Sequence, residues 1–122
     1  MDRILIVDDN REMREVLSQL FREWSYQTVT AGTLAEARNA VEVEEPFKVI
    51  ICDFELPDGN GLQFLSWLRW ERGDLTRFLL VSGSADFVRY RPSDFSFLAK
   101  PFRTEELRTR VEELIGAKQQ SR

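Results

Sequence analysis

Short runs of consecutive apolar residues constrain the fold of this chain more than any other feature. Three such runs end at a polar side chain: residues 4–7 before Asp8, 49–52 before Asp53, and 78–81 before Ser82. Unbroken apolar runs of this length are typical of strands buried on both faces of a parallel sheet. Because such a sheet needs helices on both faces, the segments between the runs are expected to be largely helical.

Helical periodicity accounts for those segments. After the first run, apolar residues recur at three- and four-residue spacing on one helix stripe: Met13, Val16, Leu17, Leu20, Phe21 and Trp24. Thr33 and Glu36 form a capping box that opens a second helix to about Glu44. A third helix follows the turn residues 57–61, and Thr104 is predicted to cap a last helix.

Two further strands complete the predicted sheet. Residues 27–31 indicate a weaker strand near an edge, and residues 95–99 indicate a strong one that ends at Lys100. Five strands alternating with helices predict an α/β fold with a doubly wound, five-stranded parallel sheet. Right-handed crossovers favour the flavodoxin-like strand order 2-1-3-4-5. We expect one domain over residues 1–118 and a polar tail or the start of a linker at 119–122.

The composition excludes several kinds of chemistry. The chain has no histidine, which excludes a Ser/His/Asp triad, a Cys/His dyad and histidine-based zinc sites within it. Its single cysteine, Cys52, cannot form an internal disulfide. The net charge of −4 argues against a general nucleic-acid binder, so no direct nucleic-acid partner is expected. No apolar run approaches a membrane span and no signal peptide is recognisable, so we expect a cytoplasmic protein without a membrane partner.

Polar residues collect where the strong strands end. Asp8 and Asp9 follow the first strand, Asp53 the third, Ser82 the fourth and Lys100 the fifth, and ligands of doubly wound sheets bind outside these ends. Three carboxylates at one edge repel one another unless a cation lies among them, and their hard oxygen atoms suit Mg²⁺. The whole set suits phosphoryl transfer, with Asp53 as the nucleophile. For each residue taken alone, an ordinary cap or turn remains the alternative interpretation.

Four sequence motifs resemble the receiver domain of response regulators in two-component signalling. They are ILIVDDN, CDFELPDGNG, LLVSGSAD and FLAKPF, and they follow the family's order over nearly the whole chain. The resemblance implies a phosphorelay switch, dependent on Mg²⁺, that accepts a phosphoryl group on Asp53 from a partner's phosphohistidine. The implied partners are a histidine kinase or histidine phosphotransfer protein and a downstream protein. The resemblance fits a monomer or a phosphorylation-linked dimer.

The same resemblance implies a metal site. Asp9 would bind Mg²⁺ directly, Asp8 would assist largely through water, and Asp53 would be both ligand and phosphoacceptor. The backbone carbonyl of Glu55 would be the third protein ligand. The side chain of Glu55 is expected either to reach over the metal and order a hydrolytic water, or to point to solvent.

It also implies a set of switch residues. Ser82 matches the hydroxyl that turns toward the phosphoryl group, and Lys100 matches the lysine that pairs with a phosphoryl oxygen. Pro101 matches the proline whose preceding bond is usually cis. Phe97 matches the aromatic residue that swings inward on activation.

One stretch departs from the family pattern. Between Ser82 and Lys100 the family carries a full fourth helix, whereas this stretch is roughly one helical turn shorter and is interrupted by Pro92. We expect a shortened or irregular, mobile segment there, and a rebuilt output surface. An ordered helix of two or more turns within residues 85–96 would contradict this expectation.

Several alternatives stay open at this stage. A pseudo-receiver that acts as a phosphorylation-independent interaction module is the alternative function, and a Mg²⁺-dependent aspartyl-phosphate hydrolase is a third. Trp67 and Trp70 lie off the leucine stripe of their helix, either as a partner surface or as the edge of the core. Five arginines form either a solvated face or a docking patch for an acidic partner: Arg89, Arg91, Arg103, Arg108 and Arg110.

Overall fold

The computed structural model describes residues 2–83 and 95–120, with side chains described up to Gly116. The strands in these ranges are β1 (Arg3–Val7), β2 (Gln27–Ala31), β3 (Val49–Asp53), β4 (Glu55–Leu56), β5 (Gly59–Asn60), β6 (Arg77–Ser82) and β7 (Ser96–Ala99). Five of them form one parallel sheet in the order β2-β1-β3-β6-β7, while β4 and β5 pair separately as an antiparallel hairpin. With the hairpin set aside, this is the predicted order 2-1-3-4-5, so the fold class is confirmed.

The described helices lie between or after the strands of the sheet. They are α1 (Arg11–Glu23), α2 (Leu34–Glu44), α3 (Gly61–Ser66), which continues as a π-helical turn over Trp67–Glu71, and α4 (Thr104–Gln120). None of the helices in the described ranges is long and apolar enough to cross a membrane.

The helix starts differ in detail from the predicted caps. Thr33 caps α2 as expected, because its Oγ1 accepts the Glu36 N–H at 3.0 Å. The reciprocal half of the capping box is absent here, since the Glu36 carboxylate accepts the N–H of Gly32 instead, at 2.7 Å. Thr104 is the first residue of α4 rather than its cap, and Glu106 Oε1 accepts the N–H of Arg103, the residue before the helix, at 2.8 Å.

The sheet separates two apolar cores. Leu5 and its neighbours on one face pack beneath α2 and α3, in a cluster that includes Val41 and Phe64. Ile4 and its neighbours on the other face pack beneath α1 and α4, with Phe21 and Leu107. Burial on both faces is why the strand sequences are unbroken apolar runs rather than alternating ones.

The predicted irregular segment lies mostly outside the described residues. The first described range ends at Gly83 and the second begins at Phe95, so residues 84–94 lie between them. The shortened helix and the rebuilt output surface therefore stay predictions.

Candidate functional site

The strand ends bring the predicted polar residues to one edge of the sheet. Asp8 directly follows β1, Asp53 and Ser82 are the last residues of β3 and β6, and Lys100 directly follows β7. Backbone bonds continue the parallel ladder past these ends, since Lys100 N–H donates to the Ser82 carbonyl at 2.9 Å. Four residues predicted from separate parts of the chain therefore share one rim.

A cluster of three carboxylates lies at this rim. Ligand oxygen atoms of Asp8, Asp9 and Asp53 all lie within 4.8 Å of one another. Asp8 is buried, the Asp53 side chain is 11% exposed, and Asp9 is exposed. A set of hard oxygen donors that is open to solvent on one side fits Mg²⁺, which usually retains several waters.

Lys100 supplies the positive charge on the inner side of this cluster. Its Nζ lies 3.3 Å from Asp53 Oδ2 and 3.5 Å from Asp8 Oδ2. Partial burial disfavours the Lys100 cation, but attraction to Asp53 and Asp8 outweighs burial and raises its pKa. Lys100 is therefore held as a cation between two acids.

At Asp53, burial outweighs the interactions with neighbouring charges. Burial raises the pKa of its carboxyl, and the Asp8 charge adds to that rise. Lys100 lowers this pKa through attraction and a hydrogen bond, and the backbone N–H of Glu55 lowers it further. The pKa of Asp53 nevertheless stays raised. Burial of the Asp53 carboxyl thus outweighs the stabilisation that Lys100 and Glu55 give to its ionised form.

Local polar contacts shape the loop after β1. The Asn10 side chain caps α1 by accepting the Met13 N–H at 2.9 Å, and Asp8 Oδ1 accepts the Asn10 N–H at 2.9 Å. The Arg14 guanidinium donates to the Asp8 carbonyl at 2.8 Å. These contacts fix the Asp8–Asp9 backbone at the start of α1.

The loop after β3 is a hairpin that carries Glu55. The Glu55 side chain is exposed and does not belong to the carboxylate cluster, and its backbone N–H helps to lower the pKa of Asp53. Gly61 follows the hairpin in a close fit, since a Cβ there would lie 2.8 Å from the Asp53 carbonyl oxygen. The proposed ligand role of the Glu55 carbonyl stays a prediction.

The predicted switch residues lie beside this rim. Ser82 is 3% exposed, and Phe97 is half-buried against the core beneath α2 and α3. The Phe97 carbonyl accepts a hydrogen bond from the Arg110 guanidinium. The Lys100–Pro101 peptide bond is cis, as the resemblance implies. The switching roles themselves stay predictions.

The two tryptophans have different environments. Trp67 stacks on Phe64 with ring centroids 5.9 Å apart, and the guanidinium groups of Arg38 and Arg72 lie 5.6 and 5.5 Å from its ring. Trp67 is therefore an edge of the core. Trp70 is 84% exposed, which leaves a partner contact open for that residue alone.

Two of the three arginines of the predicted patch that the structure describes form ion pairs, and the third, Arg103, is exposed. Arg108 pairs with Glu112 at 3.2 Å and Arg110 with Glu113 at 3.9 Å, as expected of a solvated helix face. Arg89 and Arg91 lie outside the described residues. Their part of the predicted patch is untested.

Sequence reasoning missed Asp58. Its carboxylate accepts the N–H groups of Leu34 and Ala35 at 2.7 and 3.1 Å, from a position 24 residues along the chain. The segment 57–61 indicates a turn, but no local signal links an aspartate in that turn to the start of another helix.

Comparison with known proteins agrees with this geometry. A sequence profile of the response regulator receiver domain matches residues 4–112. The chain belongs to the response regulator receiver family. Receivers of this family are signalling switches rather than conventional enzymes.

Two relatives differ in length. The chain is 34% identical to the transcriptional regulatory protein PmrA of Pectobacterium parmentieri, over 98% of this chain and 54% of PmrA. It is 27% identical to the probable chemotaxis protein CheY of Rhizobium etli, over 94% of this chain and 93% of that protein. The chain therefore spans about half of PmrA and nearly all of the CheY protein.

A solved structure shares the fold. The response regulator protein TrrA of Thermotoga maritima, in complex with Mg²⁺ and BeF, has a TM-score of 0.81 and 28% identity to this chain. The match covers 93% of this chain and 99% of TrrA. The likeness therefore extends over nearly the whole of both proteins.

Proposed function

We propose that this receiver domain accepts a phosphoryl group on Asp53 from the phosphohistidine of a histidine kinase or histidine phosphotransfer protein. The observation that carries the proposal is the Asp53 carboxylate, held 3.3 Å from the Lys100 ammonium within a cluster of three acids. Membership of the receiver family supports the same role. The absence of histidine from the chain requires the donor histidine to lie elsewhere.

The chemistry is transfer of one phosphoryl group. An oxygen of the Asp53 carboxylate attacks phosphorus, the phosphorus–nitrogen bond to the donor imidazole breaks, and an aspartyl phosphate forms while the imidazole keeps the electron pair. The Lys100 ammonium, already beside Asp53, pairs with a phosphoryl oxygen and neutralises part of its charge. The Ser82 hydroxyl, on the neighbouring strand end, hydrogen-bonds another phosphoryl oxygen.

Mg²⁺ is the proposed cofactor. Asp8, Asp9, Asp53 and the Glu55 carbonyl would hold it, with Asp9 and the carbonyl as direct ligands and Asp8 acting largely through water. When bound, the ion would offset negative charge on the phosphoryl oxygens. The described carboxylates fit this role because they are close together and Lys100 compensates only their inner side.

The output is a change of surface for a downstream protein partner. The charge gained at Asp53 would draw in Ser82, and Phe97 and the Lys100–Pro101 turn would follow. We propose a cytoplasmic switch over residues 1–118 that is not a turnover enzyme and has at most self-catalysed phosphorylation and dephosphorylation. It would act as a monomer or a phosphorylation-linked dimer. PmrA is named a transcriptional regulatory protein, so we propose the absence of a direct nucleic-acid contact for these residues only.

Mass spectrometry with a small phosphodonor tests the acceptor role. The protein with Mg²⁺ and acetyl phosphate should gain the mass of one base-labile phosphoryl group, and Asp53→Asn should gain none. Asp74→Asn is the matched control and should leave the mass gain intact. Asp74 accepts the Thr76 N–H just before the amino end of β6, whereas Asp53 lies at the carboxyl end of β3.

Each other outcome has a defined meaning. A folded wild type that gains no mass, or an undiminished gain in Asp53→Asn, contradicts the proposal, and the first result favours the pseudo-receiver. Sustained consumption of acetyl phosphate at enzyme-like rates would instead favour the hydrolase.

A further inference from the structure

The first turn of α2 receives its caps from two distant parts of the chain. Thr33, which directly precedes the helix, accepts the N–H of Glu36, the third helical residue. Asp58 accepts the N–H groups of Leu34 and Ala35, the first two helical residues. Helix starts leave these N–H groups without intrahelical partners, and a cap ordinarily comes from the residue before the helix. A carboxylate delivered from the β4–β5 turn is therefore a tertiary tie as well as a cap.

The rest of the hairpin tip also packs on α2. Leu56 is 9% exposed and belongs to the core cluster beneath that helix. Gly59 lies so close to Leu34 that a Cβ added there would be 2.4 Å from Leu34 Cδ1. Apolar and polar contacts thus hold the same tip against the same helix turn.

The base of the hairpin lies at the phosphoacceptor. Glu55, the first hairpin residue, follows Asp53 by two positions, and its backbone N–H helps to lower the pKa of the Asp53 carboxyl. Next to it, the Phe54 N–H donates to the Val81 carbonyl at 2.9 Å, and the Gly61 N–H donates to the Phe54 carbonyl at 2.7 Å. The hairpin backbone therefore connects the start of α2 with the carboxylate of Asp53.

We propose that Asp58 is a positioning residue that holds the hairpin, and with it the backbone of Glu55 next to Asp53, in the position that the proposed metal site requires. The inference rests on the proposed function, because it assigns the Glu55 carbonyl to the metal. Asp58 touches neither the phosphoryl group nor the ion. It acts through the hairpin, whose far end it ties to α2 with two charge-assisted hydrogen bonds.

A matched pair of cap variants separates this role from simple helix capping. Asp58→Ala and Thr33→Ala each remove side-chain caps from the first turn of α2, but only Asp58→Ala releases the hairpin. Calorimetric titration with Mg²⁺ alone should show roughly 10-fold weaker binding for Asp58→Ala, the low end of the loss seen when support for a metal ligand is removed. Thr33→Ala should bind Mg²⁺ like the wild type.

A second readout needs no metal. Amide hydrogen exchange without divalent cations should become faster at Glu55 and Leu56 in Asp58→Ala and stay unchanged there in Thr33→Ala. Thermal unfolding checks that both variants fold. Should Asp58→Ala fail to fold, Asp58→Asn takes its place, because its amide oxygen retains one acceptor and should give smaller changes in the same direction.

The outcomes distinguish this inference from the proposed function. A wild type that binds Mg²⁺ and gains phosphate, with Asp58→Ala equal to it in affinity and exchange, overturns the inference alone. Equal losses in Asp58→Ala and Thr33→Ala also overturn it, because capping of α2 would then be sufficient. A wild type that neither binds Mg²⁺ nor gains phosphate overturns the proposed function, while unchanged exchange at Glu55 in Asp58→Ala would still count against Asp58.

Discussion

Two loops border the carboxylate cluster, and they are built differently. The loop over residues 8–10 is shaped by side-chain hydrogen bonds between residues no more than six positions apart. The loop over residues 54–60 depends on the tie from Asp58 to α2, which spans 24 positions, and on glycines that fit against other elements. One half of the site is thus specified locally and the other half by tertiary contact. Substitutions of the glycines in or directly after the second loop should therefore affect stability more than loss of the Asn10 cap in the first.

Gly61→Ala should have the largest effect. A Cβ at Gly61 would lie 2.6 Å from Leu80 Cδ1 and 2.8 Å from the backbone oxygen of Asp53, so strand β3 or the start of α3 must shift. We expect a loss of about 3 kcal/mol in the free energy of unfolding, measured by urea titration. Gly116→Ala is the control, because no described group outside its own stretch of helix lies within 4 Å of the added Cβ and alanine favours a helix by up to about 1 kcal/mol. Equal stability of the two variants would contradict the close fit.

Gly59→Ala should cause the second-largest loss in the free energy of unfolding. The backbone φ of Gly59 is +154°, which L-residues rarely adopt, and a Cβ would meet the Leu34 and Gln63 side chains. Those side chains can move, so we expect a loss of about 2 kcal/mol, mainly from backbone strain. Gly73→Ala, at a φ of +62° with no group of the described residues beyond its chain neighbours within 4 Å, reports the cost of a left-handed φ without a clash. If Gly59→Ala costs no more than Gly73→Ala, the hairpin tip does not fit closely on α2.

Asn10→Ala tests the loop over residues 8–10 and should have the next-largest effect on stability. It removes the acceptor for the Met13 N–H at the start of α1, and loss of such a cap costs about 1 kcal/mol. Asn10→Ser keeps a capping oxygen and should retain most of the stability in the same urea titration. Amide exchange at Glu55 should not change in either variant. Faster exchange at Glu55 would mean that the two loops are coupled, which would contradict their separate specification.

The locally specified features are those that the sequence predicts well. Strand order follows from apolar runs buried on both faces, and parallel strands bring Asp8, Asp53, Ser82 and Lys100 to one rim. Thr33 is recognisable as a cap because it directly precedes an apolar periodic segment. In each case the physical cause lies within a few residues or in the geometry of a parallel sheet.

The remaining features depend on distances that a sequence pattern does not contain. Glu36 was expected to bond back to Thr33, but Gly32 offers its carboxylate a donor at 2.7 Å. Asp58 lies in a turn where aspartate is common, so only the folded arrangement shows that it caps α2. Trp67 and Trp70 have the same type of side chain, but only Trp67 is placed against Phe64 and two arginines.

The smallest expected effect is a pH dependence at the tip of the second loop. The hydrogen bond from the Leu34 N–H is the main cause that holds the pKa of Asp58 below its ordinary value of 3.8. Burial opposes this lowering, whereas the hydrogen bond from the Ala35 N–H and attraction to Arg38 add to it. Because folding lowers this pKa, ionised Asp58 stabilises the folded state at pH values above 3.8. That contribution is lost as the pH falls through the lowered pKa.

Thermal unfolding of Asp58→Asn checks the sign. The variant should be less stable than the wild type at neutral pH, and the difference should shrink as the pH is taken below 3.8. Thr33→Ala removes a cap that does not titrate, so its deficit should stay constant over the same range. A deficit of Asp58→Asn that is independent of pH would show that the tie to α2 does not depend on the charge of Asp58, and the hairpin would then be held by Leu56 and Gly59 instead.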